Sequence, residues 1–358
     1  MTRGGAAGSG AEAMWPIRVL AVQPSPGFVL KAVKEGFDVW AVVDPGRYDE
    51  DGLGVLGSAA RAVLAVDLGD QAALDALVVR TVRRNRIDHV LCRCGRSHGL
   101  RRPSALMPGP SAAVGVLDRV SSTRDRYRRA EGGSDLDAAM SDFGFFALRD
   151  VEQRPRPTGP GPDVPAFVVT TLTFEGMHQV VGVTTTSPEH LLHPAELPSR
   201  QEAAVLAAAT SLLDFAGYER GPAHVTVVLT EDGPRVESAH TWFEPGGLLS
   251  LLEFCTGLDL ETELVRMLTD GPVLKPVVAR SAAVRFLRPG PGRLESVAGL
   301  AEASTAPGVA EVCFPHEPGD VLTARDAGFV LAWGASPAEA RARVLEACAG
   351  VRLTVESV

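Results

Sequence analysis

The chain has 358 residues, 45% of them hydrophobic and 22% charged, with a formal net charge of −9. That length allows two or three domains, each with its own core. The acidic balance argues against nucleic acid or an anionic membrane as a partner, since both call for basic surface.

Residues 1–14 form a Gly/Ala tail without the apolar stretch of a signal peptide. No apolar run reaches the ~20 residues that a bilayer span requires. Strand-like sequence begins at once after Met14, which makes that residue a candidate initiator. The runs Ile17–Val22, Val39–Val43, Ala62–Val66 and His89–Cys94 read as buried strands. Phe28–Glu35 and Gln71–Asn85 read as helices between them, with Asp70 placed to cap the second. Strand and helix in alternation imply a parallel sheet covered on both faces, an α/β lobe over 15–112. The loop after the first strand, Gln23-Pro24-Ser25-Pro26-Gly27, lacks the glycine spacing of a dinucleotide site.

A second region spans 113–277. Asp118–Glu131 reads as an arginine-rich helix stopped by Gly132-Gly133, and Arg154–Pro165 as a Pro/Gly-rich loop. Phe167–Phe174 and His178–Thr186 form a hairpin around Glu175-Gly176, followed by a long apolar helix over Arg200–Ala216. His224–Leu229 and Arg235–Ala239 make a second hairpin, turned by Glu231-Asp232-Gly233. Leu248–Cys255 and Leu258–Leu268 are a helical pair broken at Gly257. The remainder, 278–358, reads as a small α+β domain. Ser281–Leu287 and Phe329–Trp333 are its strands, and Ser336-Pro337-Ala338-Glu339 is a capping box opening a last helix.

Five cysteines, at 92, 94, 255, 313 and 348, follow no disulfide spacing, which points to a reducing cytoplasm. Cys92-Arg93-Cys94 with His98 invites a zinc reading. Without a fourth ligand at suitable spacing, buried strand cysteines are the better account.

Several phrases stand in an order that resembles the ATP-grasp carboxylate–amine ligases, in particular their L-amino acid ligase branch. They are Thr123-Arg124-Asp125-Arg126-Tyr127-Arg128-Arg129, Gly182-Val183-Thr184, Gly221-Pro222-Ala223-His224 with the hairpin after it, and Leu252-Glu253-Phe254-Cys255-Thr256-Gly257. Ala282-Ala283-Val284-Arg285-Phe286-Leu287 and Gly308-Val309-Ala310-Glu311-Val312 extend the likeness to the end of the chain. The resemblance implies an α/β lobe, an ATP-grasp region over 113–277 and a small C-terminal domain. It also implies ATP held by lysines and magnesium held by carboxylates.

Residue by residue, the chain departs from that pattern. Its three lysines are Lys31, Lys34 and Lys275, so none lies in the long stretch between. Arg126 stands where the family has lysine, which keeps the charge but not the compact ammonium. No second lysine and no acidic pair for the adenine match between Gly133 and Gly161. The first magnesium carboxylate falls at Thr226 and the second at Glu237, while the asparagine beyond falls at Ala239 or His240. In-line phosphoryl transfer depends on metal and cations to neutralise the transferred oxygens. A single carboxylate leaves a magnesium ion mostly water-bound, and removing even one preorganised donor costs ~2.7–4 kcal/mol.

Three functions follow as expectations. The first is a pseudoenzyme in amino-acid, peptide or specialised-metabolite biosynthesis. It works without a cofactor of its own and pairs with an active ATP-grasp paralogue or with itself. The second is a working ATP- and magnesium-dependent ligase using substitutes, Arg126 for lysine and Glu237 with His240 for the metal set. The third is a nucleotide-independent small-molecule sensor. Glu237 is a vestigial metal ligand or a strand-end carboxylate. Thr226, His240 and Glu244 are candidates to line a ligand cleft, the last two being equally a polar loop pair. Trp242 and Phe243 are suited to filling a vacated cleft.

Overall fold

A computed structural model describes residues 16–92, 106–107, 165–215, 218, 221–231, 233–240, 243, 246–269, 274–323 and 327–356. The expected helix over Asp118–Glu131 and nearly all of the Pro/Gly-rich loop lie outside them.

The N-terminal lobe runs β1 (Arg18–Val22), α1 (Pro26–Lys34), β2 (Asp38–Val43), α2 (Glu50–Ala59), β3 (Ala62–Ala65), α3 (Gln71–Asn85), β4 (His89–Cys92) and β5 (Leu106–Met107). The strands order as β3-β2-β1-β4-β5. The first four are parallel, as the alternation implies, whereas β5 lies antiparallel to β4 with Leu91 opposite Leu106. Alternate residues face opposite layers. Leu20, Val22 and Val42 meet Leu74 and Val82 of α3, while Val19, Ala21 and Val43 meet Phe28, Val29 and Ala32 of α1. Ser25 caps α1 by accepting from the Phe28 N–H, and Asp70 caps α3 by accepting from the Ala73 N–H.

Helix α2 was not expected, because Gly52, Gly54 and Gly57 depress its propensity by about 1 kcal/mol each. Local and tertiary contacts outweigh that cost. Asp49 accepts from the Gly52 N–H, Glu50 and Asp51 sit at the positive end of the helix dipole, and Leu56 is fully buried in the cluster shared with α1.

The central region supplies β6 (Ala166–Phe174), β7 (Met177–Thr186), β8 (His190–His193), α4 (Ser199–Phe215), β9 (Gly221–Thr230), β10 (Gly233–His240), α5 (Gly247–Thr256) and α6 (Leu260–Arg266). Both expected hairpins are present. Glu175 at φ 49° and Gly176 at φ 75° make the left-handed turn that suits a two-residue loop. Beyond it come β11 (Ser281–Leu287), β12 (Gly292–Ala298), α7 (Leu300–Thr305), β13 (Val309–Cys313), β14 (Val321–Leu322), β15 (Gly328–Gly334), α8 (Pro337–Cys348) and β16 (Arg352–Glu356). The capping box opens α8 as expected. Ser336 Oγ accepts from the Glu339 N–H, and Glu339 reaches back to the Ala335 N–H at 2.7 Å.

One antiparallel sheet joins the centre to the C-terminal part, in the order β10-β9-β6-β7-β8-β11-β15-β13. The β8–β11 pairing crosses residue 278. Helices α4 and α8 cover one face, through Leu212 on Val225 and through Val344 on Val330. On the other face α5 sets Leu251 and Cys255 against Val284 and Leu331. The N-terminal lobe also docks on that face, against Leu172 and Val181. A separate sheet, β14-β12-β16, completes the C-terminal part. Among the described residues, no helix is long and apolar enough to cross a membrane.

Candidate functional site

Pairing between β9 and β10 decides which side chains reach the face opposite α4. Val227 pairs with Val236 and Val225 with Ala239, and these four belong to the core under α4. Thr226 pairs with Ser238 and His224 with His240, so those positions look the other way. The register slips between Val236 and Ser238, which leaves Glu237 as the extra residue of a bulge. A bulge re-aims its side chains, and this one lies where Glu237 and Thr226 fall on neighbouring strands, the two positions that the resemblance assigns to magnesium.

What stands there is a hydroxyl and a carboxylate. Glu237 accepts a hydrogen bond from Arg235 at 3.2 Å, and only 16% of its side chain is exposed. Thr226 is half-buried, flanked by Val168 of β6 on its other side. Among the described residues no three His, Cys, Asp or Glu side chains gather as a metal cluster. Magnesium requires several oxygen ligands in near-octahedral order. Among the described residues, one hydroxyl and one carboxylate already engaged by an arginine fit that ion poorly.

Further along the same face lies a row of polar side chains in an otherwise apolar sheet. His224 shares a 2.8 Å hydrogen bond between its Nδ1 and Thr170 Oγ1, and the edge of its ring meets Phe243 at 5.6 Å. Phe243 is itself buried against the N-terminal lobe, where it fills space between lobe and sheet. Thr170 pairs across with Gly182 of β7. The His193 imidazole lies over that glycine so closely that a Cβ at 182 would overlap its Cε1. His193 Nδ1 is 3.1 Å from Thr184 Oγ1, and its buried Nε2 has no partner among the described residues. Burial pulls its pKa down to about 4, partly offset by a hydrogen bond to the Val183 backbone, so the ring is neutral near pH 7.

The structure thus puts Thr226 and the Glu237 bulge on neighbouring strands and sets His240 opposite His224 in register. The side chain of His240 lies outside the described residues, as do Arg126 and Glu244. Cys92 ends β4, with Cys94 and His98 beyond the description. Sequence reasoning missed Thr170, Thr184 and His193. The available signal was a pair of histidines bracketing two leucines in His190-Leu191-Leu192-His193, a polar intrusion into a buried strand.

Residues 285–356 match the L-amino acid ligase C-terminal domain 2 family. The whole chain resembles the L-amino acid ligase from Bacillus licheniformis, at 15% identity and a TM-score of 0.71, covering 96% of this chain and 100% of that one. N5-carboxyaminoimidazole ribonucleotide synthetase from Thermotoga maritima is similar at 14% identity and a TM-score of 0.64, covering 95% and 100%. Phosphoribosylglycinamide synthetase from Anaerococcus prevotii is similar at 12% identity and a TM-score of 0.63, again covering 95% and 100%. No curated protein matches the chain in sequence. At such identities the likeness establishes the fold.

Proposed function

From the ATP-grasp ligase fold as premise, we propose that this chain is a ligase-like protein without ATP-driven ligation of its own. It serves as a binding protein, or as the partner of an active ATP-grasp ligase or of a second copy of itself. One observation carries this reading: the two positions that the resemblance assigns to magnesium hold Thr226 and Glu237, and the carboxylate is tied to Arg235 of its own strand. Breaking that part-buried pair frees one carboxylate, and one is too few to orient a metal–phosphate complex. The match of residues 285–356 to an L-amino acid ligase domain favours amino-acid, peptide or specialised-metabolite biosynthesis as the setting. A cytoplasmic location goes with that setting.

A nucleotide-independent sensor is the second reading. Its support is the row His224, Thr170, Thr184 and His193, which keeps hydrogen-bonding groups on a face where apolar residues cost less to bury. A small polar ligand would be expected to raise the melting temperature without ATP or magnesium.

Calorimetric titration with ATP and magnesium, repeated on Glu237→Ala, separates these readings from a working ligase. The proposal expects no heat of binding from either protein. Micromolar binding that disappears in Glu237→Ala would sink it and return the chain to the active ligases, with Glu237 as a metal ligand after all.

A further inference from the structure

Helix α3 serves the N-terminal sheet with one side only. Leu74 and Val82 are buried in a cluster with Leu20, Val22 and Val42, and Leu77 and Val78 pack against it. Asp75, Ala76, Arg80, Arg83 and Arg84 are exposed on the other side. There a shallow hollow of about 700 Å³ is lined, among the described residues, by this one helix. Ala76 and the half-buried Val79 lie along its middle, with Asp75 at one end and Arg83 and Arg84 at the other. The charge along the helix is sorted by sign. Asp67, Asp70 and Asp75 stand at its start, and Arg80, Arg83, Arg84 and Arg86 crowd its later turns, all of them exposed. The terminal charges suit the helix dipole, but Asp75 and Arg80 lie in the middle turns, beyond its reach.

We propose that the outer side of α3 docks a second copy of this chain, the two helices packing antiparallel about a two-fold axis near Val79. Asp75 stands four residues before Val79 and Arg83 four residues after it. Each Asp75 therefore meets the partner's Arg83, and symmetry makes that contact twice. Ala76 and Val79 are small enough to let the helix axes approach to about 8–10 Å. A wholly acidic partner would suit the arginines but set Asp75 against its own sign. The same helix turned end for end supplies both signs in the order required.

Helix α3 has 15 residues, a length of about 22 Å. One such helix from each copy buries less than the ~1,000 Å² of a firm complex, so association belongs in the micromolar range and weakens with salt. This interface rests on the pairing of the chain with itself proposed above, and gives that pairing a surface. It leaves the candidate site alone. Helix α1, on the opposite face of the N-terminal sheet, shares its cluster with Phe243, whereas α3 belongs to a separate one.

Sedimentation velocity of the full chain across the micromolar range tests the interface. A dimer is expected at low salt, dissociating as salt is raised. Arg83→Glu and Asp75→Arg each turn two attractions into two repulsions, and each should weaken self-association by at least about tenfold. An equimolar mixture of the two variants has opposite charges at both contacts and should re-form the dimer, which also shows that both chains are folded. A dimer that withstands both single substitutions, or a mixture that stays monomeric, overturns this surface while self-pairing stands. A native chain that is monomeric at every concentration ends self-pairing too, and leaves the calorimetric test of ATP binding unaffected.

Discussion

A buried histidine and a half-buried glutamate shift in opposite directions over the same pH range, so their effects on stability should partly cancel. His193 stays neutral down to about pH 4 against an ordinary value of 6.5. As pH falls from 6.5 the unfolded chain takes up that proton first, so the histidine's contribution is complete above 6.5 and lost toward 4. Glu253 keeps its proton up to about pH 7 against an ordinary value of 4.5, so its contribution is complete below 4.5 and lost toward 7. At about 1.4 kcal/mol per bound proton per pH unit, each effect amounts to about 2 kcal/mol between pH 4.5 and 6.5, with opposite signs. That of Glu253 shrinks to about 1 kcal/mol because its carboxyl keeps some solvent contact. The native protein should therefore gain only about 1 kcal/mol across the window. Urea unfolding at several pH values reads this directly. Glu253→Gln should expose the histidine alone, gaining about 2 kcal/mol as pH rises. His193→Leu should reverse the slope and lose about 1 kcal/mol. A fixed cost from repacking at either site does not matter, since only the slope is read. Native-like slopes in both variants would refute the assignment of these protons.

Two further substitutions probe the parts that frame the site. Gly182→Ala drives a methyl into the His193 ring and should cost about 1–3 kcal/mol. A second change, His193→Ala, should recover most of that loss; additivity within about 0.5 kcal/mol in the double-mutant cycle would show that the two residues do not collide. Ser336→Ala removes the oxygen that accepts from the Glu339 N–H and should lower stability by about 1 kcal/mol in thermal unfolding. No change would mean that Glu339, through the Ala335 N–H, caps α8 by itself.

Where one local signal dominated, the elements could be read from sequence. Helix α3 spans Gln71–Asn85 with Asp70 as its cap, and the β6–β7 hairpin turns at Glu175-Gly176, both as expected. Helix α2 was not legible, because its three glycines argue against a helix that contacts with α1 sustain. Strand β5 is only two residues long, too short to show a period or a direction. For the site, the resemblance led to Thr226 and Glu237, but the bulge at Glu237 is a feature of register between strands. A single strand does not encode that register. The His193–Gly182 contact joins residues of two strands through shape, and neither residue announces it alone.

The pairing of β8 with β11 also decides how this protein can be cut. A fragment ending near residue 278 would present β8 as a bare edge, with Leu191 and Leu192 stripped of Val284 and Ala283. Such an edge offers open hydrogen-bonding groups to any other chain and invites self-association. The piece that begins at residue 285 keeps only the last three residues of β11, so it loses most of the strand that anchors β15. Dissection at either point would yield aggregates whose behaviour says nothing about the intact chain, and point substitutions in the full-length protein are the sounder route to its function.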